Sequence, residues 1–439
     1  MTGARRDGLL FLVFGCLLFT LGGAGMVSRP QATAIDFKAV YYSARCVLQH
    51  CDPYNEAELQ RIYQAEGGDT PSDPDYVRRL VTLCVNLPSA YSVYMLFALL
   101  PWSVAHALWA LCIGLSVMLA AILMWFASAE HAPVLSGVLL CIFLLSSLVL
   151  IDVANTAGLV VGLCVISVWC FLRNRFVSAG IICMAISLII KPHDAGFIWL
   201  YFMLIGGEQR RRAVRVLIVA VALALPGTVR VNHVAPNWVS ELHANLSVTA
   251  NRGDVNDPGP MSASRNTPDF IIDLQSLISV FYDNPRVYNL ISYLIAFPII
   301  GVWIWAVKRR GGHAGDHWYA LAAIAALAML PVYHRQDDAR LMLLAIPAFA
   351  ILWKRGGARG RWALFFTGAA IVLNGDVLTA LRIAPFRHAL EASSGAWHMM
   401  LNVVVARPVP LVLLVTGLFY LWCYLRADNH ERVTSIVTE

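Results

Sequence analysis

Charge is what this sequence has little of. Of its 439 residues, 14% are Asp, Glu, Lys or Arg and 59% are hydrophobic. That balance leaves no stretch polar enough to form a separate soluble domain. Also missing is a Rossmann-type glycine-rich turn, which argues against a nucleotide-sugar site. The single Asp-x-Asp, "DPD" at 73–75, has Pro between its acids and reads as loop. No His/Cys cluster shows zinc spacing, so no obligatory cofactor is expected, although a divalent metal stays open. There is no internal repeat, low-complexity tract or nucleic-acid-type basic stripe, which excludes a nucleic-acid partner. Behind residues 8–27 no small-residue cleavage site follows, so that run reads as a retained first span rather than a leader.

What is present is a series of apolar runs of roughly 17 to 25 residues, the length that crosses a hydrocarbon core. They imply an all-α polytopic membrane protein, a single membrane domain over 1–439 with about 12 transmembrane helices. The formal net charge of +6 reports topology. Arg5 and Arg6, "RNR" at 173–175, "QRRRAVR" at 209–215, "KRR" at 308–310 and "KRGGARGR" at 354–361 each abut an apolar run. The positive-inside rule puts them, and both termini, in the cytoplasm. Three longer segments, 28–80, 231–287 and 376–407, then face outward as structured caps.

One conflict remains in this count. Four apolar segments, near 81–100, 104–127, 133–151 and 157–172, lie where an odd number of crossings is required. One of them must be short, re-entrant or half-inserted, which is tolerated where protein or a wet cavity satisfies the backbone. "IDVANT" at 151–156 is the expected break. In the second outer segment, "PNWVSELHANL" and "DLQSLISVF" have the spacing of short amphipathic helices. The turn-rich "NRGDVNDPGPMSASRNTPD" between them suits a mobile gate.

The most polar stretch beside a span is "IDFKAVYYSARCVLQHCDPYN", residues 35–55. Phe37, Val40, Tyr41, Ala44 and Leu48 share one helical face, and Lys38, Tyr42, Arg45 and Gln49 another, so it reads as a helix lying at the interface. Asp36 suits its start as a cap, and Asp52 before Pro53 its end. Most of the ten cysteines lie in apolar runs. Cys46 and Cys51 do not, and they can pair only if this helix ends early. Further polar groups close apolar runs on the same side: Lys191-Pro192-His193-Asp194, and "YHRQDDAR" at 333–340. Charges at the hydrocarbon edge line wet cavities, so several converging there suggest a site.

The stretch "DFKAVYYSARCVLQHCDPY" resembles the D-F-x-x-Y-Y-x-A-x-x-x-L-x-x-x-D-P-Y signature of glycosyltransferase family 87, membrane enzymes of the GT-C superfamily that use polyprenyl-phosphate sugars. "VNLPSAYSVYMLFALLPWSVAHALW" resembles that family's Pro-containing second span, "KPHDA" its Lys-Pro turn, and "DLQSLISVF" the segment after its large outer loop. "IDVAN" stands in place of the frequent GQ-x-N, and "YHRQDD" in place of a Trp-x-His motif. The resemblance implies a GT-C fold with interfacial helices in the outer loops, and a transfer of mannose or another hexose or pentose to a lipid or glycan acceptor. Asp36 takes the catalytic-base position. Lys191 and His193 fall at the lipid-phosphate site, with His334 and Arg335 as further phosphate-binding groups. Tyr41, Tyr42, Arg45, Asp52, Tyr54, Asp194, Gln275 and Asp338 are left to hold acceptor and sugar. Membrane lipids are the remaining partner, and the bacterial inner membrane with an outward-facing site is the implied location.

The residue types fit that chemistry. A carboxylate can take the acceptor proton as general base. The leaving phosphate is already a stable anion, so it needs cations rather than a second acid. Bland readings compete: Asp36 and Asp52 as caps, the tyrosines as an aromatic belt, Lys191 snorkelling, and Arg335 paired with Asp338. So do other functions, namely a lipid-linked glycan ligase or a lipid or sugar flippase, although a transporter would gather its polar groups at the midplane.

Overall fold

The computed structural model describes residues 3–28, 34–69, 75–259, 271–311 and 317–427. These residues are overwhelmingly helical, and a single isolated bridge joins Ile271 to Arg335. Seven helices among them are long and apolar enough to cross a membrane. They are α1 (Gly3–Val27), Trp102–Ser128, Pro133–Asp152, Thr156–Arg173, Gly207–Val234, Pro285–Arg310 and Val409–Arg426. The expected count of about 12 is therefore not shown. Several expected spans form shorter helices, such as Val177–Ile190 and Pro192–Leu204. Pro192 explains the division between these two: a residue before proline is pushed out of the helical region, and Lys191 sits at φ −138°, ψ 81°.

In chain order, α2 (Ile35–Leu48), α3 (Glu56–Ala65) and α4 (Asp75–Thr82) follow the first span. Of the four apolar segments, 81–100 is the one that forms no helix long enough to cross. Its only α-helix, α5 (Tyr91–Ala98), has eight residues and spans about 12 Å at 1.5 Å per residue. The other three segments form α6 (Trp102–Ser128), the Pro133–Asp152 helices and α9 (Thr156–Arg173), each long and apolar enough to cross, which agrees with the odd number expected. Within Pro133–Asp152, a break at Ser147 separates α7 (Pro133–Ser146) from α8 (Val149–Asp152), and "VAN" then turns the chain into α9 (Thr156–Arg173).

Helices α1 and α7 cross at two glycines. A Cβ on Gly8 would strike the Pro133 carbonyl oxygen, and one on Gly137 would strike that of Gly8. Without a hydrophobic driving force between spans, such close main-chain approach is what holds them together. The helix His317–Leu327 is buried at every residue after His317. Its run of alanines lets neighbouring helices approach from all sides.

Helix α2 differs from the interfacial helix read from its spacing. Phe37, Val40, Tyr41 and Ala44 are buried as expected, but so are Lys38 and Tyr42 of the supposed wet face. Helices α3 and α4 cover that face, and Lys38 Nζ lies 3.5 Å from Tyr63 Oη. On the other side, Phe37 stacks on Trp102 and Trp109, at centroid distances of 5.6 and 5.1 Å. Full burial of one such side chain is worth about 1.5–3 kcal/mol. The helix also ends at Leu48 rather than at Asp52-Pro53, because His50 turns to φ 64°. That early end meets the condition for pairing the cysteines, and Cys46 and Cys51 form a disulfide across a Cα separation of 5.0 Å.

The outer segments are structured. "PNWVSELHANL" forms Trp238–Thr249 as expected, whereas the helix in "DLQSLISVF" has only five residues, Leu274–Ile278. Asn245 ties the former to the first loop by donating to the Tyr54 and Cys84 carbonyls at 3.1 and 3.0 Å. Residues 251–259 of the expected gate are anchored by ion pairs from Arg79 to Asp254 and from Arg252 to Asp283. The remainder of that gate, 260–270, and the first two residues of "DPD" lie outside the described residues.

Candidate active site

Asp36 sits in the first turn of α2, and it does not cap it. The N-cap is Ala34, at φ 64°, without a side-chain bond. Two of the helix's free N–H groups find carbonyls elsewhere: Ala34 donates to Asp152 O at 2.7 Å, and Asp36 to Val153 O at 3.1 Å. The start of α2 is thus seated on the end of α8, which supplies the acceptors that a capping side chain would otherwise provide. Trp109 Nε1 fixes the same turn by donating to Ala154 O at 3.0 Å.

The Asp36 carboxylate is left to face Asn155. Asn155 Oδ1 accepts from Ala157 N at 2.7 Å and so caps α9. Its amide nitrogen must then point the other way, where it donates to Asp36 Oδ2 at 2.6 Å and to Asp337 Oδ2 at 3.2 Å. Asp36 lies deep among protein groups yet keeps accessible surface. Burial pushes its carboxyl above the ordinary carboxylate range, against the pull of Arg335 and of the bond from Asn155.

Opposite stands the 333–338 loop. The Ile271–Arg335 bridge and a bond from Ile272 N to His334 O, 3.0 Å, hold it in place. Asp338 folds back to accept from Arg335 N at 2.9 Å, and its other oxygen takes the Lys191 ammonium. Lys191 Nζ also lies 3.4 Å from Asp194 Oδ2. The expected Arg335–Asp338 ion pair is therefore a Lys191–Asp338 pair. The Arg335 guanidinium feels Asp36, Asp337 and Asp338, yet among the described residues it closes no ion pair with them, and its Nε is buried without a hydrogen-bond partner.

The profile of glycosyltransferase family 87 matches residues 86–331. That is more than half of the chain. The chain belongs to glycosyltransferase family 87. No curated protein and no solved structure matches it. The family match contains Asn155, Lys191, His193, Asp194 and Gln275, while Asp36 and the 333–338 loop lie outside it and are joined to it by the contacts above.

Of the residues singled out in the sequence of this family 87 chain, Asp36, Lys191, His193, Asp194, His334, Arg335 and Asp338 converge. His334 Nε2 and His193 Nε2 lie 3.5 and 3.6 Å from Asp194 Oδ1. Those three side chains could hold a metal ion; Cys46 and Cys51 beside Glu58 could not as thiolates, being disulfide-bonded. The others have partners in the outer cap. Tyr41 Oη donates to Leu100 O at 2.8 Å, and Tyr42 stacks on Trp102 at 5.7 Å. Arg45 clasps Glu66, and Asp52 Oδ1 accepts from Tyr54 N at 2.8 Å. Tyr54 donates to Asn86 O at 2.7 Å and helps line a separate open cavity of about 640 Å³ with Gln60, Arg78 and Glu241. Gln275 is buried, donating to Pro331 O at 2.7 Å. Sequence reasoning missed Asn155 and Asp337. The signal for Asn155 was there: an Asn directly before an apolar run is a helix-start mark.

Proposed function

We propose that this membrane glycosyltransferase moves a sugar from a polyprenyl-phosphate donor to a lipid or glycan acceptor at the outer face of the bacterial inner membrane. The sugar is mannose or another hexose or pentose, and the reaction is a single displacement with inversion. The observation that carries this reading is one cleft holding both an oriented carboxylate, Asp36 on Asn155, and a guanidinium, Arg335, without an ion-pair partner.

The chemistry follows from these two groups. The acceptor hydroxyl gives its proton to Asp36 as its oxygen attacks the anomeric carbon. The bond from that carbon to the phosphate oxygen breaks, and its electron pair leaves with the phosphate. Arg335 meets the charge that gathers there, with the fork geometry that suits phosphate. Lys191, held between Asp338 and Asp194, orders the wall behind.

The direction of the helices supports an outer-face site. Helix α1 carries Arg5 and Arg6 at its start and leads toward Asp36, and α9 runs from Asn155 to Arg173. The helix Ala345–Arg355, beyond the 333–338 loop, ends in Lys354 and Arg355. Base-rich ends thus lie opposite the acid-rich ones, and the positive-inside rule assigns the former to the cytoplasm. A donor dissolved in the bilayer brings its phosphate to headgroup depth at the other end.

The test is transfer itself. Purified full-length protein is incubated with radiolabelled polyprenyl-phosphate mannose and membrane lipid, beside Asp36→Asn. Label should move to a new lipid or glycan product in the first case only. Failure with mannosyl, other hexosyl and pentosyl donors alike would overturn the reading.

A further inference from the structure

Behind the Lys191–Asp338 pair, His193, Asp194 and His334 present one nitrogen, one oxygen and one nitrogen within 4.8 Å of one another. Asp194 and His334 are almost wholly buried, at 1% and 0% exposure. Asp194 Oδ1 and His334 Nε2 have no hydrogen-bond partner among the described residues, and Asp194 Oδ2 has the Lys191 ammonium 3.4 Å away. Buried polar atoms left so are rare and call for a reason.

The tautomer of His334 sharpens the point. Its Nδ1 lies 2.9 Å from Val332 O, which can only accept, so Nδ1 carries the proton. In the neutral ring Nε2 then turns its lone pair toward the Asp194 carboxylate at 3.5 Å, where an imidazolium would instead donate. A cation shared by the neutral ring and the carboxylate accounts for a separation longer than that hydrogen bond would leave. The spacing agrees. Metal bonds of about 2.0–2.1 Å in tetrahedral array set ligand atoms about 3.3–3.5 Å apart, and here the separations are 3.5 and 3.6 Å. A hydrogen bond would close to about 2.7–3.2 Å. An imidazole that gives its other N–H to a main-chain carbonyl is also how metal-bound histidines are oriented.

We infer that His193, Asp194 and His334 bind one divalent cation of the zinc class, with the remaining position open to water or a phosphate oxygen. The charge around it agrees. Asp36, Asp194 and Asp338 draw on Lys191 and Arg335, three acids on two cations. That shortage matters most if an anionic phosphate must enter, a consequence that rests on the proposed function; the site itself rests on geometry.

The probe is Zn²⁺ alone. Full-length protein with any tag removed is stripped by a chelator, dialysed against Zn²⁺ and analysed for bound metal, with Co²⁺ absorption reporting the ligand field. One ion per chain is expected. His334→Ala and His193→Ala should each weaken binding by more than the roughly 10–100-fold that loss of an outer-shell partner costs. His193 lies at the exposed rim, so its variant keeps the test valid should the buried His334→Ala fail to fold. His193→Asp should restore part of the affinity. Absence of stoichiometric binding, or binding unchanged in the double alanine variant, overturns the site. Transferase activity in protein that binds no Zn²⁺ would overturn the site and leave the function standing; stoichiometric Zn²⁺ with no transfer from any donor would do the reverse.

Discussion

Arg45 lies on α2 and Arg335 in the loop that faces the start of that helix, and their surroundings follow opposite rules. Arg45 Nε donates to both Glu66 oxygens at 2.8 and 2.9 Å, and Nη1 to Ala98 O at 3.1 Å. Gln49 completes the cluster at 2.6 Å from Glu66. Arg335 has three carboxylates near it and bonds none of them through its side chain. The first region spends its polar groups on one another and so fixes the fold of the cap. The second withholds them. Because a buried donor without a partner costs about 1–3 kcal/mol, it persists where a ligand repays it. Arg45 is tied into the cap by its bonds, whereas the Arg335 guanidinium makes none among the described residues.

The comparison breaks most sharply at Asp36. Asp36→Asn keeps size and forfeits the base, so transfer should fall about 10²–10⁴-fold. Since Asp36 caps nothing and the Asn oxygen can still accept from Asn155, any loss of thermal stability should stay below the roughly 1.5–3 kcal/mol that a hydrogen bond to a charged group carries. Radiolabel transfer and a thermal melt on the same preparation check both. Near-wild-type transfer would remove Asp36 from the chemistry.

Next comes Arg335→Ala, expected to cost about 10²–10³-fold, the loss seen when one preorganised donor to a developing anion is removed. Arg335→Lys should recover only part, since an ammonium lacks the fork. Equal rates in all three would show that no phosphate meets this group.

Asn155→Ser separates two duties of one side chain. Serine caps helices as well as asparagine, so α9 should hold, but it cannot reach two carboxylates at once. Losing the hydrogen bonds to two carboxylates should slow transfer about 10–100-fold and lower stability by no more than the roughly 1.5–3 kcal/mol such bonds carry, with α9 itself still capped.

A subtler effect lies in pH. Asp36 must be ionised to act, and its pKa is raised, so transfer should fall on acidification at a higher pH than an ordinary carboxylate would give. Arg335 and Lys191 face Asp36 and favour the ionised form, whereas Asp338 opposes it. Removing Arg335 should therefore move the acid limb further up in pH, and a profile of residual activity in Arg335→Ala tests the sign.

The smallest effect on chemistry belongs to the satisfied region. Arg45→Ala should lower stability by about 1–3 kcal/mol, the range for stranding a charge-assisted hydrogen bond, and leave kcat of the folded enzyme unchanged. Should kcat collapse with stability intact, the outer cap touches substrate after all, as its tyrosines and Arg45 were expected to do.

Much of this was legible in advance. Apolar run length alone gives the helical membrane class. Lys191-Pro192 announces a helix break, and the 35–55 stretch announces an acid at a span's end. The error about α2 is instructive. Its periodicity put Lys38 and Tyr42 on a wet face, but α3 and α4 fold over that face, and no spacing within α2 records what covers it. The choice among the four segments of 81–172 was illegible for a similar reason: apolar content does not reveal that 81–100 yields only an eight-residue helix after Pro88.

The sequence by itself determined what depends on neighbours in the chain: solvent preference, helix ends and the chemical types on hand. Only the tertiary structure decided which charges meet. Asp36 and Asn155 are separated by 119 positions, and Lys191 and Asp338 by 147. At such distances no local propensity links them. What links them is the packing of α8 beneath α2 and of the 333–338 loop against Lys191, which assigns Asp338 to Lys191 and thereby leaves Arg335 open.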